Sequence, residues 1–407
     1  MLKMERIVKR LLDRMPLERE SALVRLAANM KVLLLSWNFP PTLGGIEYVV
    51  GNTFAGLRRA GHPVQVITGA ADAPAQDGVH RPHRGGLLTY LGFAFFRGWA
   101  LCRAERPDVI VCGTVVPAPA AWLLALRYRR PVIILVHGSD VVYENWLYRR
   151  ASRFLFRRAR RLTANSHHTR GLLEEAGLPC GRIEVVHPGV DVRAFETEPE
   201  RGAEALLESL QGRNVLLSVG RLIRRKGLLE FVRDVLPGLV QRDPNLSLVL
   251  VGDDATASLA HGERMRARIE RAAQEAGLGA HVILTGTLPD AEVVRLFYRA
   301  DLFVLPCLKL PGDVEGFGIV FLEAALAGTA SVATRVGGIP DAVIDGETGL
   351  LVEPGDPSAF GEAVFRLLED VPLRERLART GAERARAEFS WDAITAQYIQ
   401  VFEKCLP

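Results

Sequence analysis

DLFVLP at 301–306, followed by EGFGIVFLE at 315–323, is the stretch that decides the fold. A short apolar run, a loop bearing Gly316 and Gly318, and an apolar helical opening make a strand–loop–helix unit. In open α/β sheets such loops lie at the carboxyl ends of the strands, where ligands bind. Glycine there leaves backbone N–H groups bare at a helix start, suited to a diphosphate. Glu315 stands before the helix and Glu323 inside it. At about 1.5 Å of rise per residue the two carboxylates can stand roughly 10 to 12 Å apart, the reach from a ribose across a diphosphate to a sugar. The spacing points to a nucleotide-sugar site.

The same alternation of buried-strand runs and helix-length segments repeats along the chain. The runs are 32–37, 64–69, 108–113, 132–138, 161–166 and 183–189, then 214–220, 246–252, 282–286, 302–306 and 330–338. Continuous Val/Ile/Leu runs of this kind predict parallel sheets covered on both faces. Polar, proline-bearing sequence after residue 190 separates the two sets. The expected fold is α/β, with two doubly wound Rossmann-like domains facing a cleft. Residues 1–29 are an appended helical segment, 30–195 the first domain and 196–390 the second.

With 407 residues, the chain exceeds one ordinary core. A net charge of +4 favours phosphates or an anionic membrane surface, but without a basic motif it does not indicate nucleic acid. Five cysteines with no CxxC pair fit a reducing compartment, and a cytoplasmic location is expected. The longest apolar candidate, 87–96, is half the length of about 20 residues needed to span a bilayer. Residues 1–29 show no apolar signal region.

Three further loops fall at strand ends. FPPTLGGIEY puts Gly44 and Gly45 before a helical pattern, permitting close backbone approach. HGSD places His137 where it can meet a ligand across the cleft. VGRLIRRKG supplies Arg221 and Lys226, with Arg224 and Arg225 beside them. Fixed cations can neutralise a departing diphosphate in place of a metal. His167 and His168 read as a helix start, with no third metal ligand at useful spacing. Residues 147–161 carry seven arginines and no acid, interleaved with Phe154, Leu155 and Phe156. A basic helix with an apolar stripe can lie on anionic lipid, and the same stripe can equally pack on a sheet.

Together FPPTLGGIE, HGSD, VGRLIRRKG, EGFGIVFLEA, VGGIPDAV and GETGLLVEPGD resemble the retaining glycosyltransferases of family 4, from about residue 31 to the C-terminus. The resemblance implies the two-domain GT-B fold, with the C-terminal helix, around Trp391–Phe402, crossing back onto the first domain. It implies that Glu315 lies by the donor sugar and Glu323 holds the ribose. Arg221, Lys226 and the amides of Phe317, Gly318 and Ile319 bind the diphosphate, which Gly44 and Gly45 approach from the opposite side. His137 faces the transferred sugar. No metal or other cofactor is implied, and no DxD motif stands at a strand end.

The partners implied are a sugar nucleotide and a glycolipid or glycan acceptor. The likeness is greatest to mannosyltransferases that use GDP-mannose on phosphatidylinositol mannosides, with UDP-hexoses and a nucleotide-sugar epimerase as alternatives. Front-face and double-displacement chemistry both remain open. Asp253 and Asp254 in VGDD, and Asp341 where glutamate is usual, depart from the family pattern.

Overall fold

The computed structural model describes residues 29–407 apart from Leu43, 71–72, Glu144, 255–263 and Pro407. Residues 1–28 of the expected helix over 1–29 therefore lie outside the described residues.

Two parallel sheets organise the chain. The first has seven strands in the order β3-β2-β1-β4-β5-β6-β7: β1 (Val32–Ser36), β2 (Val64–Thr68), β3 (Val79–His80), β4 (Val109–Cys112), β5 (Val132–Val136), β6 (Arg161–Ala164) and β7 (Ile183–Val185). The second has six in the order β10-β9-β8-β11-β12-β13: β8 (Asn214–Val219), β9 (Leu246–Val251), β10 (Val282–Gly286), β11 (Leu302–Leu305), β12 (Ala330–Thr334) and β13 (Leu350–Val352). In each sheet the strand order reverses at one point, beside β1 and β4 and beside β8 and β11, which opens a crevice for ligand there.

Helices cover both faces of the first sheet. On its inner face α1 (Gly45–Arg59) packs Val50, Phe54 and Leu57 against Leu34, Val66 and Val111. The outer face carries α2 (Leu87–Ala104), α3 (Ala118–Tyr128) and α4 (Trp146–Arg158), over Leu33, Leu35, Ile110 and Ile134. Strands buried on both faces explain why their sequences read as unbroken apolar runs. The inner-face core is continuous from Leu34 and Val111 through Val190 and Trp391 to Leu217 and Phe303 of the second sheet, so the two domains share one apolar interior.

The last helix, α8 (Trp391–Glu403), leaves the second domain and packs on α1. Gly56 makes this possible, because a side chain there would collide with the Thr395 hydroxyl. Trp391 donates its indole N–H to the Tyr48 hydroxyl at 3.2 Å, and their rings meet edge to face at 5.7 Å. The same indole closes over Gly189.

Three sequence readings need correction. The short edge strands β3 and β13 had no apolar run long enough to reveal them. The run 330–338 is strand only to Thr334, because Gly337 turns at φ 57 and lies too close to the Glu315 carbonyl for any side chain. The basic segment 147–161 is helical only from Trp146 to Arg158, and Arg161 opens β6, where the run 161–166 was read as strand, and pairs with Glu184 at 2.9 Å. Four of the five cysteines are buried, Cys180 being the exception, and all five are free thiols.

Trp391→Ala should remove the bolt between the domains at a cost of about 3 kcal/mol or more, read as a lower urea midpoint.

Candidate active site in the cleft

The turn after β8 is shaped by Gly227. Its φ is 68°, and a side chain there would strike the Pro306 carbonyl, so only glycine lets the turn lie against the end of β11. That contact brings Arg225 and Lys226 onto the loop that carries Glu315. Lys226 Nζ stands 2.9 Å from Glu315 Oε2, and Arg225 Nη1 donates to the same oxygen. Arg225 Nε also reaches Asp313 Oδ1 at 3.0 Å. Burial alone would raise the Glu315 carboxyl, but Lys226 and Arg225 overcome it and hold the group at about 2. Burial disfavours the Arg225 cation, yet Glu315 keeps its pKa above the ordinary arginine value.

Glu323 has the opposite environment. It lies in α6 (Ile319–Leu326), where burial, reinforced by the charge of Asp290, pushes its carboxyl up to about 7. Gly318 caps α6 at φ 92, leaving the first N–H groups without a side-chain acceptor. Phe317 is buried, with its ring 5.3 Å from His187 and 5.6 Å from Phe389, which fixes the loop just ahead of those amides. A donor diphosphate at this point would meet backbone N–H groups and the Lys226 ammonium together.

Across the cleft, His137 is buried at the end of β5 and its Nε2 lies 2.8 Å from the Gly113 carbonyl oxygen. A carbonyl can only accept, so Nε2–H donates this bond and Nδ1 is the ring nitrogen left for another partner. Gly44 precedes α1, and a side chain there would collide with the Glu47 carboxylate, itself held by Asn38 at 2.7 Å. Around Gly45, by contrast, a Cβ would meet nothing within 4 Å. The two domains touch at Gly316, where a Cβ would come 2.7 Å from Asn165 Nδ2 and 3.0 Å from the His137 carbonyl oxygen. The seam leaves little room for a side chain at 316.

The structure brings Glu315 and Lys226 together, and it adds Arg225, which sequence reasoning named only as a neighbour. Arg221 is exposed on the same turn and does not share in the Glu315 cluster. His167 opens the helix His167–Glu175, as its sequence reads, and the fold also sets His187 and Asp341 beside it, their ligand atoms all within 4.8 Å. Asp341 Oδ2 accepts the His167 backbone N–H and lies 3.2 Å from both His167 Nδ1 and His187 Nε2. Burial opposes the Asp341 charge, but these contacts hold its carboxyl below the usual range. Residues 167, 187 and 341 lie too far apart in sequence for spacing to reveal them. Tyr48 was missed as well; it bonds Trp391 and faces the charge of Glu323. In VGDD, Asp254 accepts the Arg266 N–H at 3.1 Å.

Glu323 supplies a test of this geometry. Its folded carboxyl takes up a proton at about 7, against 4.5 ordinarily, so folding gains a proton in that window and stability falls as pH rises across it. Glu323→Gln cannot ionise. It should be more stable than the parent near pH 8, by up to about 3 kcal/mol, with the difference gone near pH 4 in urea unfolding.

The description "Glycosyl transferases group 1" matches residues 205–384, and "Glycosyltransferase Family 4" matches residues 43–194. The GDP-mannose-dependent alpha-(1-6)-phosphatidylinositol monomannoside mannosyltransferase of Mycolicibacterium smegmatis is 33% identical, over 88% of this chain and 95% of that protein. Glycogen synthase of Mycobacterium tuberculosis is 27% identical, over 92% of this chain and 94% of its own length. Among solved structures, sucrose-phosphate synthase from Thermosynechococcus elongatus superposes with a TM-score of 0.77 at 25% identity, covering 92% of this chain and 98% of that one. With these matches spanning both sheets and the cleft between them, the chain belongs to the family 4, group 1 glycosyltransferases and is an enzyme of GT-B fold.

Proposed function

We propose that the enzyme transfers a hexose, with retention, from a sugar nucleotide to a hydroxyl of a lipid-linked or polysaccharide acceptor, and that the donor is GDP-mannose. The observation that carries the reading is the Glu315–Lys226–Arg225 cluster beside the open N-terminus of α6. In this reading two cations and a row of amides would meet a leaving diphosphate as it gains charge, and would stabilise its departure without a metal. The 33% identity to a GDP-mannose-dependent mannosyltransferase favours that donor.

Each residue takes one role in this scheme. The amides of Phe317, Gly318 and Ile319, with Arg221 and Lys226, hold the diphosphate, and Gly44 and Gly45 close on it from the first domain. Glu323 accepts hydrogen bonds from the ribose hydroxyls, which would supply the donors that its buried carboxylate otherwise lacks. His137 faces the transferred sugar through Nδ1. Glu315 is engaged by two cations and strongly acidic, which makes it a poor nucleophile and suits it to positioning and charge stabilisation. A front-face path follows, in which the leaving phosphate takes the acceptor's proton. A lipid-linked acceptor would be met at an anionic membrane surface on the cytoplasmic side, with 147–161 as the contact.

GDP- and UDP-sugars should be compared by thermal shift. At a hundred times its Kd the matched donor stabilises by about 2.7 kcal/mol. GDP-mannose should give the largest rise. A larger rise with a UDP-hexose would replace the donor, and no rise with any nucleotide sugar would remove the donor site. Lys226→Ala and Glu315→Ala should each lower turnover by about a hundredfold or more while the fold persists.

A further inference from the structure

Every exposed large apolar side chain among the described residues, except Val371, falls between Leu87 and Phe154. These side chains lie on or next to α2, α3 and α4, the outer layer of the first domain; Leu88 is 83% exposed, Phe96 74%, Trp146 67% and Leu126 62%. Clustering on one layer of one domain is unlike the scattered apolar exposure of an ordinary surface.

Beneath this layer, between α3 and α4, is a cavity of about 240 Å³. Arg130, Arg158, Arg160 and Arg182 line it together with apolar groups including Trp122 and Leu155, and no carboxylate contributes to the lining. The Arg158 guanidinium lies over the Phe154 ring at 3.4 Å and the Trp122 ring at 5.1 Å, so its charge is held by aromatic faces. Among the described residues Arg158, Arg160 and Arg182 have no carboxylate partner, and Arg130 has only Asp108, at 4.0 Å. Four arginines with no acid in the lining leave an excess of positive charge around one small space, which an anion would offset. Their planar forks match phosphate oxygens, and the apolar wall suits the glycerol and acyl ester beneath a headgroup. Pro131 and Val132, at the start of β5, form part of the lining, which puts the cavity at the opposite end of the sheet from the catalytic cleft.

We propose that this cavity binds the phosphate of an anionic phospholipid while the exposed side chains of α2, α3 and α4 enter the bilayer surface. The proposal rests on the membrane-contact reading of 147–161, widens it from one helix to a three-helix face with a defined headgroup site, and holds whichever sugar nucleotide is the donor.

Sedimentation with vesicles tests it. The whole enzyme is mixed with phosphatidylglycerol–phosphatidylcholine vesicles or with phosphatidylcholine alone, at about 0.1 M and about 0.5 M salt, since salt screens exposed charges more than enclosed ones. Arg160→Ala/Arg182→Ala removes two cavity cations, and Arg149→Ala/Arg150→Ala removes two from the exposed face of α4. Each lost arginine should weaken binding about fivefold at the lower salt. At the higher salt only the cavity pair should still differ from the parent, and Arg160→Lys/Arg182→Lys should restore part of the loss. Retained thermal shift by the nucleotide donor shows that each variant is folded, and separates failure here from failure of the donor site. Equal behaviour of the two alanine pairs at both salts would overturn the headgroup site. So would equal binding to phosphatidylcholine alone, absence of vesicle binding, or a response to inorganic phosphate without one to vesicles.

Discussion

Glu315 held between Lys226 and Arg225 is the interaction on which the cleft depends. A buried carboxylate is expensive unless its charge is met, and here two cations meet it, so that losing either leaves Glu315 with the other. The arrangement exists because Gly227 lets one turn lie on the end of β11, and because Gly316 and Gly337 let the Glu315 loop pass against the first domain and the turn after β12. Positive charge is thus oriented in the cleft and partly shielded from water, as the proposed diphosphate site needs. Among the described residues Glu323, unlike Glu315, has no cation paired with it. Its raised affinity for a proton marks a group left short of donors.

The domains are joined in a way that links this cluster to the rest of the molecule. Their inner faces share one apolar core, and α8 crosses from the second domain to lie on α1. Asp341 reaches across the seam to the start of the helix at His167–Glu175 and to His187, whose ring stacks near Phe317. Phe317 carries the first of the three amides of the ligand loop proposed to hold the diphosphate. Any opening of the cleft must therefore break polar contacts at Asp341 and disturb the aromatic packing behind that loop.

Much of this was legible before any coordinates. The eleven long apolar runs correspond to strands because strands buried on both faces need unbroken apolar sequence. The two-residue β3 and the three-residue β13 carry too little sequence to show a period. Local motifs exposed the Glu315 and Glu323 loop and the basic turn, since glycine spacing and charge are written consecutively. Which arginine meets Glu315 was not legible, because Arg221 and Arg225 differ only in how the turn after β8 winds. The Asp341–His167–His187 group and the arginine-lined cavity were equally hidden, being assembled from residues distant in sequence.

The most direct measurement is a crystal structure of the enzyme with an unhydrolysed nucleotide sugar bound. The diphosphate should lie on the amides of Phe317, Gly318 and Ile319 with Lys226 against it, the ribose hydroxyls on Glu323, and Glu315 still facing Arg225. A nucleotide bound away from α6, or a Glu315 carboxylate freed from both cations and aimed at the anomeric carbon, would contradict the account.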